Sequence, residues 1–176
     1  MHSGTLFRKH SVLLSLLFLV AMQPAFADSI GFTSDDTITI TAQRGWEGDE
    51  ADVIHFSGNF ELHAPDWSMA GDTAVVYGTL DNPDKVVVEG RPAIISFLRS
   101  EDENATDADG PEEVTGTANV VEYFRDTDTL VMRGGSSLLR KESRLSSEII
   151  EYNVETDRYS ASGEGGIDTQ FDPDDK

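Results

Sequence analysis

The sequence predicts an all-β protein, a sheet of antiparallel hairpins that bends into a roll. Three observations carry that expectation. A hairpin-sized pattern recurs four times within 176 residues. The runs between turns alternate apolar and polar side chains with the period of two that half-buried strands require. Beyond an N-terminal apolar stretch, no window keeps a helical period.

That N-terminal stretch is set aside first. Arg8, Lys9 and His10 form a positive region, and the segment from Val12 to Met22 is apolar. Ala25-Phe26-Ala27 then offers the small-x-small pattern of a cleavage site, after the helix breaker Pro24. The apolar run is about half of the roughly 20 residues a spanning helix needs. Residues 1–27 therefore read as a signal peptide, and a mature chain starting at Asp28 is expected outside the cytoplasm. No cysteine is present, which excludes a disulfide framework, a thiol nucleophile and a thiolate-bound metal. Cleavage removes Arg8 and Lys9 and no acids, leaving 11 basic residues against 33 acidic ones. A chain so negative is repelled by nucleic acid and by bare anionic membranes.

Residues 28–171 are expected to form one domain built on the repeat. Each copy begins with a small residue and a polar one, runs through a strand into Tyr or Trp, turns, and returns into a glycine. The copies begin at Ala42, Gly71, Ala118 and Ser147, and the matching glycines are Gly58, Gly90, Gly134 and Gly163. The interval is 16 residues in three copies and 19 in the second, whose turn over residues 79–84 is the longest. Turns rich in Asp, Glu, Gly and Asn separate the paired runs, as hairpins require.

Within the strands, Phe56, Gly58, Phe60 and Leu62 share a face, as do Leu130, Met132, Gly134, Ser136 and Leu138. Glycine inside a strand marks a bulge or bend, and one at the same place in every copy predicts strands that kink alike. Val86, Val88 and Gly90 alternate on one face, whereas Ala93, Ile95 and Phe97 alternate on the other. A bulge near Arg91-Pro92 would reconcile the two and aim Ile95 and Phe97 inward. Residues 100–113 are acidic and lack apolar period, which predicts a long surface loop. Residues 172–176 read as a frayed acidic tail.

The chemistry-bearing residues are sparse. His55 and His63 flank the Phe56–Leu62 run on its polar side, with no third ligand at matching spacing, so no metal site is expected. Asp107-Ala108-Asp109-Gly110 is half a calcium loop without the terminal Glu. No serine stands in a nucleophile elbow. Carboxylates are too common for any pair to mark an acid–base dyad. No catalytic residue and no cofactor are expected. The aromatics Phe56, Phe60, Trp67, Phe97, Tyr123 and Tyr152 fit a lipid cavity and an ordinary sandwich core alike, and spacing alone favours the core.

Order and spacing add a resemblance. The runs Phe56-Ser57-Gly58-Asn59-Phe60, Gly71-Asp72-Thr73-Ala74-Val75-Val76-Tyr77 and Val87-Val88-Glu89-Gly90-Arg91-Pro92-Ala93 follow one another. Gly116-Thr117-Ala118-Asn119-Val120-Val121-Glu122-Tyr123 and Asp126-Thr127-Asp128-Thr129-Leu130-Val131-Met132-Arg133-Gly134 come next. Together they resemble the OstA-like, LptA-type family of periplasmic lipopolysaccharide-transport proteins, over roughly Ile38 to Ile167. Gly45-Trp46 stands where the other copies carry an apolar pair.

The resemblance implies an open β-jellyroll in the periplasm whose apolar interior holds the acyl chains of lipid A. It implies head-to-tail homo-oligomers, and partners of the inner- and outer-membrane transport machinery docked on edge strands. Carried onto this chain, the lipid-binding interior comprises Phe56, Phe60 and Leu62 of one strand, then Met69 and Val76, then Val88, Ile95 and Phe97. Val121, Tyr123, Leu130, Met132, Leu138, Ile150 and Tyr152 complete it. Two other classes compete with this non-enzymatic carrier. One is a periplasmic assembly domain with a filled core that docks proteins by its edges. The other is a carbohydrate-active jellyroll, which would need two close carboxylates in a cleft.

Overall fold

The computed structural model describes residues 37–99, 111–141 and 143–171. The signal-peptide segment 1–27, residues 100–110 and the tail 172–176 lie outside the described residues. Ten strands follow in order: β1 (Thr39–Thr41), β2 (Arg44–Glu47), β3 (Val53–His63), β4 (Trp67–Thr79) and β5 (Asn82–Arg99). Then come β6 (Glu112–Phe124), β7 (Thr129–Arg140), β8 (Ser143–Asn153), β9 (Arg158–Ser162) and β10 (Asp168–Gln170). A single 3-10 turn, Arg125–Thr127, is the one helical element among the described residues.

All ten strands belong to one antiparallel sheet in the order β1-β3-β4-β5-β6-β7-β8-β10, with β2 also on β3 and β9 also on β8. From β2 to β9 sequence neighbours are therefore sheet neighbours, as hairpin repeats dictate. The two outermost ribbons are each split in two, β1 with β2 and β9 with β10.

A line of irregularities crosses the middle of the sheet. Register shifts lie between Ser57 and Phe60, Ala70 and Thr73, Glu89 and Ala93, Thr117 and Val120, and Arg133 and Ser136. Gly58 and Gly134, two of the repeat glycines, sit in these bulges at φ +82 and +85. A side chain there would be strained, and it would also collide. A Cβ on Gly58 would come within 2.6 Å of the Gln43 amide oxygen, and one on Gly134 within 2.7 Å of the Asn119 amide nitrogen. In three of the four copies the polar second residue thus packs over the glycine of its own hairpin, Gln43 over Gly58, Asn119 over Gly134 and Glu148 over Gly163, whereas Gly90 of the second copy faces the backbone of Pro92 and Ala93. The expected bulge at Arg91-Pro92 is present, and that peptide is cis.

In β4, β5, β6 and β8 the bulge switches which alternate residues point inward, whereas β3 and β7, which carry the extra residue, keep their phase through it. In β5, Val86 and Val88 are buried before it, and Ala93, Ile95 and Phe97 after it. In β6, Val114 and Ala118 give way to Val121 and Tyr123. The sheet folds along this line into two facing layers. One contains residues 53–57, 73–79, 82–89, 120–124, 129–133 and 149–153 with β2 and β9. The other contains residues 60–63, 67–70, 93–99, 112–117, 136–140 and 143–147 with β1 and β10. Their contact is direct. The Phe97 and Tyr152 rings, from non-adjacent β5 and β8, lie 5.8 Å apart. A Cβ on Gly116 would meet the Met132 sulfur at 2.6 Å, so the glycine admits a side chain from the opposite layer.

The acidic loop expected over residues 100–113 ends earlier than that. Glu112 and Glu113 already belong to β6, because they pair in register with Arg99 and Leu98 of β5. The long turn expected over residues 79–84 is likewise shorter: β4 runs to Thr79 and β5 starts at Asn82.

Candidate functional site

The two layers enclose one apolar interior. Of the fifteen positions assigned to it from the sequence, fourteen are buried. From the first layer these are Val76, Val88, Val121, Tyr123, Leu130, Met132, Ile150 and Tyr152. From the second they are Phe60, Leu62, Met69, Ile95, Phe97 and Leu138. Phe56 departs from the expectation: it is only half-buried. Its strand partner on the outer side is β2, which opposes it with Gly45 and offers no side chain to cover the ring. The ring still packs on the cluster, 5.6 Å from Phe60. Trp67, Ala74, Val86, Ala93, Val114, Ala118, Leu145 and Val154 complete the interior and were not in the assigned set. Alternation could have found most of them, once the phase is allowed to switch at the bulges of β4, β5, β6 and β8.

The interior has a charged rim. In the second layer the inward rows of β5, β6 and β7 end in Arg99, Glu112 and Arg140. Arg140 directs Nε and Nη2 at the two carboxylate oxygens of Glu112, both at 3.3 Å, and Glu112 is buried. From the opposite layer the β8–β9 turn brings in Asp157. Its Oδ1 lies 2.7 Å from Nη1 of Arg140, and its Oδ2 lies 2.9 Å from Nη1 of Arg99. The Tyr152 hydroxyl donates to the same Oδ1 at 2.8 Å. Four charged side chains thus span the gap between the layers, directly above the Phe97–Tyr152 contact. Burial pulls the Arg140 guanidinium toward losing its proton, but the hydrogen bond to Glu112 and the charges of Glu112 and Asp157 outweigh it, so its pKa is raised. The Tyr152 phenol is raised above its ordinary value, first by burial and then by donation to Asp157.

No sequence signal marks this cluster, since its members are scattered over residues 99–157. The other residues singled out from the sequence do not converge. His55 is stacked on Trp46 at 5.4 Å beside the edge, and His63 is exposed near Glu61. Among the described residues no three His, Cys, Asp or Glu side chains are grouped as a metal would need. The half calcium loop 107–110 lies outside the described residues. The two carboxylates that share Arg140, Glu112 and Asp157, face guanidinium groups rather than an open cleft.

The kinked repeat and the enclosed apolar interior have a counterpart in a known family. The profile of the LptA/(LptD N-terminal domain) LPS transport protein family matches residues 39–158. The chain belongs to this family. It is a family of transport proteins rather than of enzymes, and membership ties the chain to lipopolysaccharide transport. Among solved structures the fold is similar to LptH of Pseudomonas aeruginosa, the LptA-homologous periplasmic component of the lipopolysaccharide transport device there. The TM-score is 0.66 at 16% identity, over 78% of this chain and 96% of that one. That likeness establishes the open β-jellyroll expected from the sequence. No curated protein matches the chain as a sequence.

Proposed function

We propose that this LptA-type domain is a periplasmic carrier that shelters the acyl chains of lipopolysaccharide between its two layers and relays the lipid from inner- to outer-membrane components. The observation that carries the reading is the continuous apolar interior running from β3 to β8, closed at one rim by side chains rather than by the backbone. Such a rim can open without breaking the sheet. Each methylene taken out of water contributes roughly 0.8 kcal/mol, so a single chain of about ten methylenes contributes roughly 8 kcal/mol toward parting the layers. Partners would dock on the split outer ribbons. β1 with β2 and β9 with β10 end the sheet, and unpaired edges are templates for another strand. The same edges would support head-to-tail copies.

The tight packing of the interior supports a second reading, an assembly module that docks proteins by these edges and takes no lipid. Native mass spectrometry of the chain with purified lipopolysaccharide, and separately with a phospholipid, separates the two. The carrier reading expects adducts of lipopolysaccharide mass, lost in a folded Met132→Asp variant that still assembles through its edges. Equal loading by that variant would overturn the interior assignment. The absence of any adduct would leave edge docking.

A further inference from the structure

We propose that Arg99 and Arg140 are the binding site for the phosphate of the lipid headgroup, a site that Asp157 holds shut. The proposal rests on the carrier reading and names the chemistry recognised at its rim.

The geometry is that of an occupied anion site. Two guanidinium groups from β5 and β7 converge on one carboxylate, each taking one oxygen, at 2.9 and 2.7 Å, and a phenol donates to it as well. Guanidinium forks match carboxylate and phosphate alike. Asp157 therefore stands where one edge of a phosphate would stand. The two arginines belong to the same rigid layer and are positioned by other means: Arg140 is forked onto buried Glu112, which pairs in register with Arg99. Asp157 comes from the opposite layer, on the turn before β9. That strand pairs only with β8 and is exposed over most of its length. Of the parts of the cluster, the carboxylate is the one free to withdraw.

Charge points the same way. A chain with 33 acidic residues against 13 basic ones repels anionic lipid at long range. Yet two of its arginines face inward at the rim, within the ion-paired cluster above the Phe97–Tyr152 contact. Acyl chains entering the interior would force the layers apart and carry Asp157 away from the arginines. A phosphate, with more charge than a carboxylate, would take its place at the boundary between the apolar interior and water. Lipids without phosphate would have to break the same ion pairs with nothing to replace them, which gives a preference by chemistry and not by size.

The test is equilibrium binding of wild type, Arg99→Gln and Asp157→Asn to three probes: bisphosphorylated lipid A, the same lipid enzymatically dephosphorylated, and inorganic phosphate. Arg99→Gln is expected to bind the phosphorylated lipid at least tenfold more weakly. Asp157→Asn should bind it more tightly than wild type, and by a larger factor than it gains on the dephosphorylated lipid, a difference that a latch which merely opens the rim cannot produce. Inorganic phosphate is expected to bind Asp157→Asn but not wild type, because it brings no acyl chain to part the layers. Equal losses on both lipids, or no gain in Asp157→Asn, would overturn the site and leave the carrier reading standing. Inorganic phosphate binding wild type as tightly as the lipid would overturn the headgroup assignment. Wild type binding neither lipid would sink the carrier reading and this site with it.

Discussion

The hairpins β6–β7 and β8–β9 are copies of one repeat, and they differ in what surrounds them. Both end their first strand in an inward tyrosine whose hydroxyl donates to an aspartate five residues on. Tyr123 reaches Asp128 at 2.7 Å and Tyr152 reaches Asp157 at 2.8 Å. Both aspartates are left-handed, at φ 45 and 54. Both carry a polar residue packed over the repeat glycine, Asn119 over Gly134 and Glu148 over Gly163. The inner copy has strands on each side, and β7 runs unbroken through its bulge from Thr129 to Arg140. The outer copy has none beyond it. β9 stops at Ser162, before its glycine, and the ribbon resumes only as β10. The turns diverge in the same way. Asp128 is tied into the sheet, its carbonyl accepting from Val154 N–H at 2.9 Å, whereas Asp157 turns its carboxylate across the gap to two arginines. A repeat supplies the local bonds, and the number of flanking strands decides whether the copy is sheet or rim.

The comparison breaks most visibly at the glycines. Gly134→Ala places a side chain at φ +85 against Asn119, on a strand paired on both sides. It should destabilise the fold by roughly 2 to 3 kcal/mol. Gly163→Ala also meets Glu148, but on a ribbon paired on one side only, and should cost under about 1 kcal/mol. Urea titration of both variants measures the difference, and equal costs would erase the distinction between inner and outer copy.

The tyrosines sharpen it next. Burial, then donation to aspartate, raises both phenols above the ordinary value of 10.0. Each therefore contributes stability that is complete below pH 10 and is lost as the pH climbs from there toward the folded-state pKa, because only the unfolded chain releases the proton. Tyr123→Phe and Tyr152→Phe should each flatten this alkaline fall, read from urea midpoints at pH 8 and 11. At neutral pH each should cost about 1 kcal/mol. Tyr152→Phe should cost the less, since Asp157 keeps two guanidinium partners. A greater cost for Tyr152→Phe would mean that the phenol, not the arginines, holds the outer turn. The smallest effect concerns the exposed pair Arg125–Asp84, at 3.0 Å, which ties the inner turn to β5. Asp84→Asn should change stability by no more than about 0.5 kcal/mol. A melting shift well beyond that would show that the inner turn too depends on charge.

Much of this architecture was legible beforehand. The four hairpins, the phase switch in β5 at Arg91-Pro92 and the kinks at Gly58 and Gly134 all follow from local spacing, because turns and alternation are written in consecutive residues. Eight buried positions of the interior were not in the assigned set, fourteen of the fifteen that were are buried, and Phe56 is the half-buried one. Its exposure depends on Gly45 across the strand, and a period-two pattern carries no information about the neighbouring strand. The charged rim was not legible. Arg99, Glu112 and Arg140 look like any other charges in an acidic chain, and nothing near them in sequence announces an inward direction.

By itself, then, the sequence determined the elements, their order in the sheet and the places where strands bend, since hairpins bring together residues already close along the chain. The tertiary structure alone decided which layer faces which and that Asp157 meets Arg99 and Arg140. Those contacts join strands that do not neighbour one another, and they exist only after the bulges have folded one sheet upon itself.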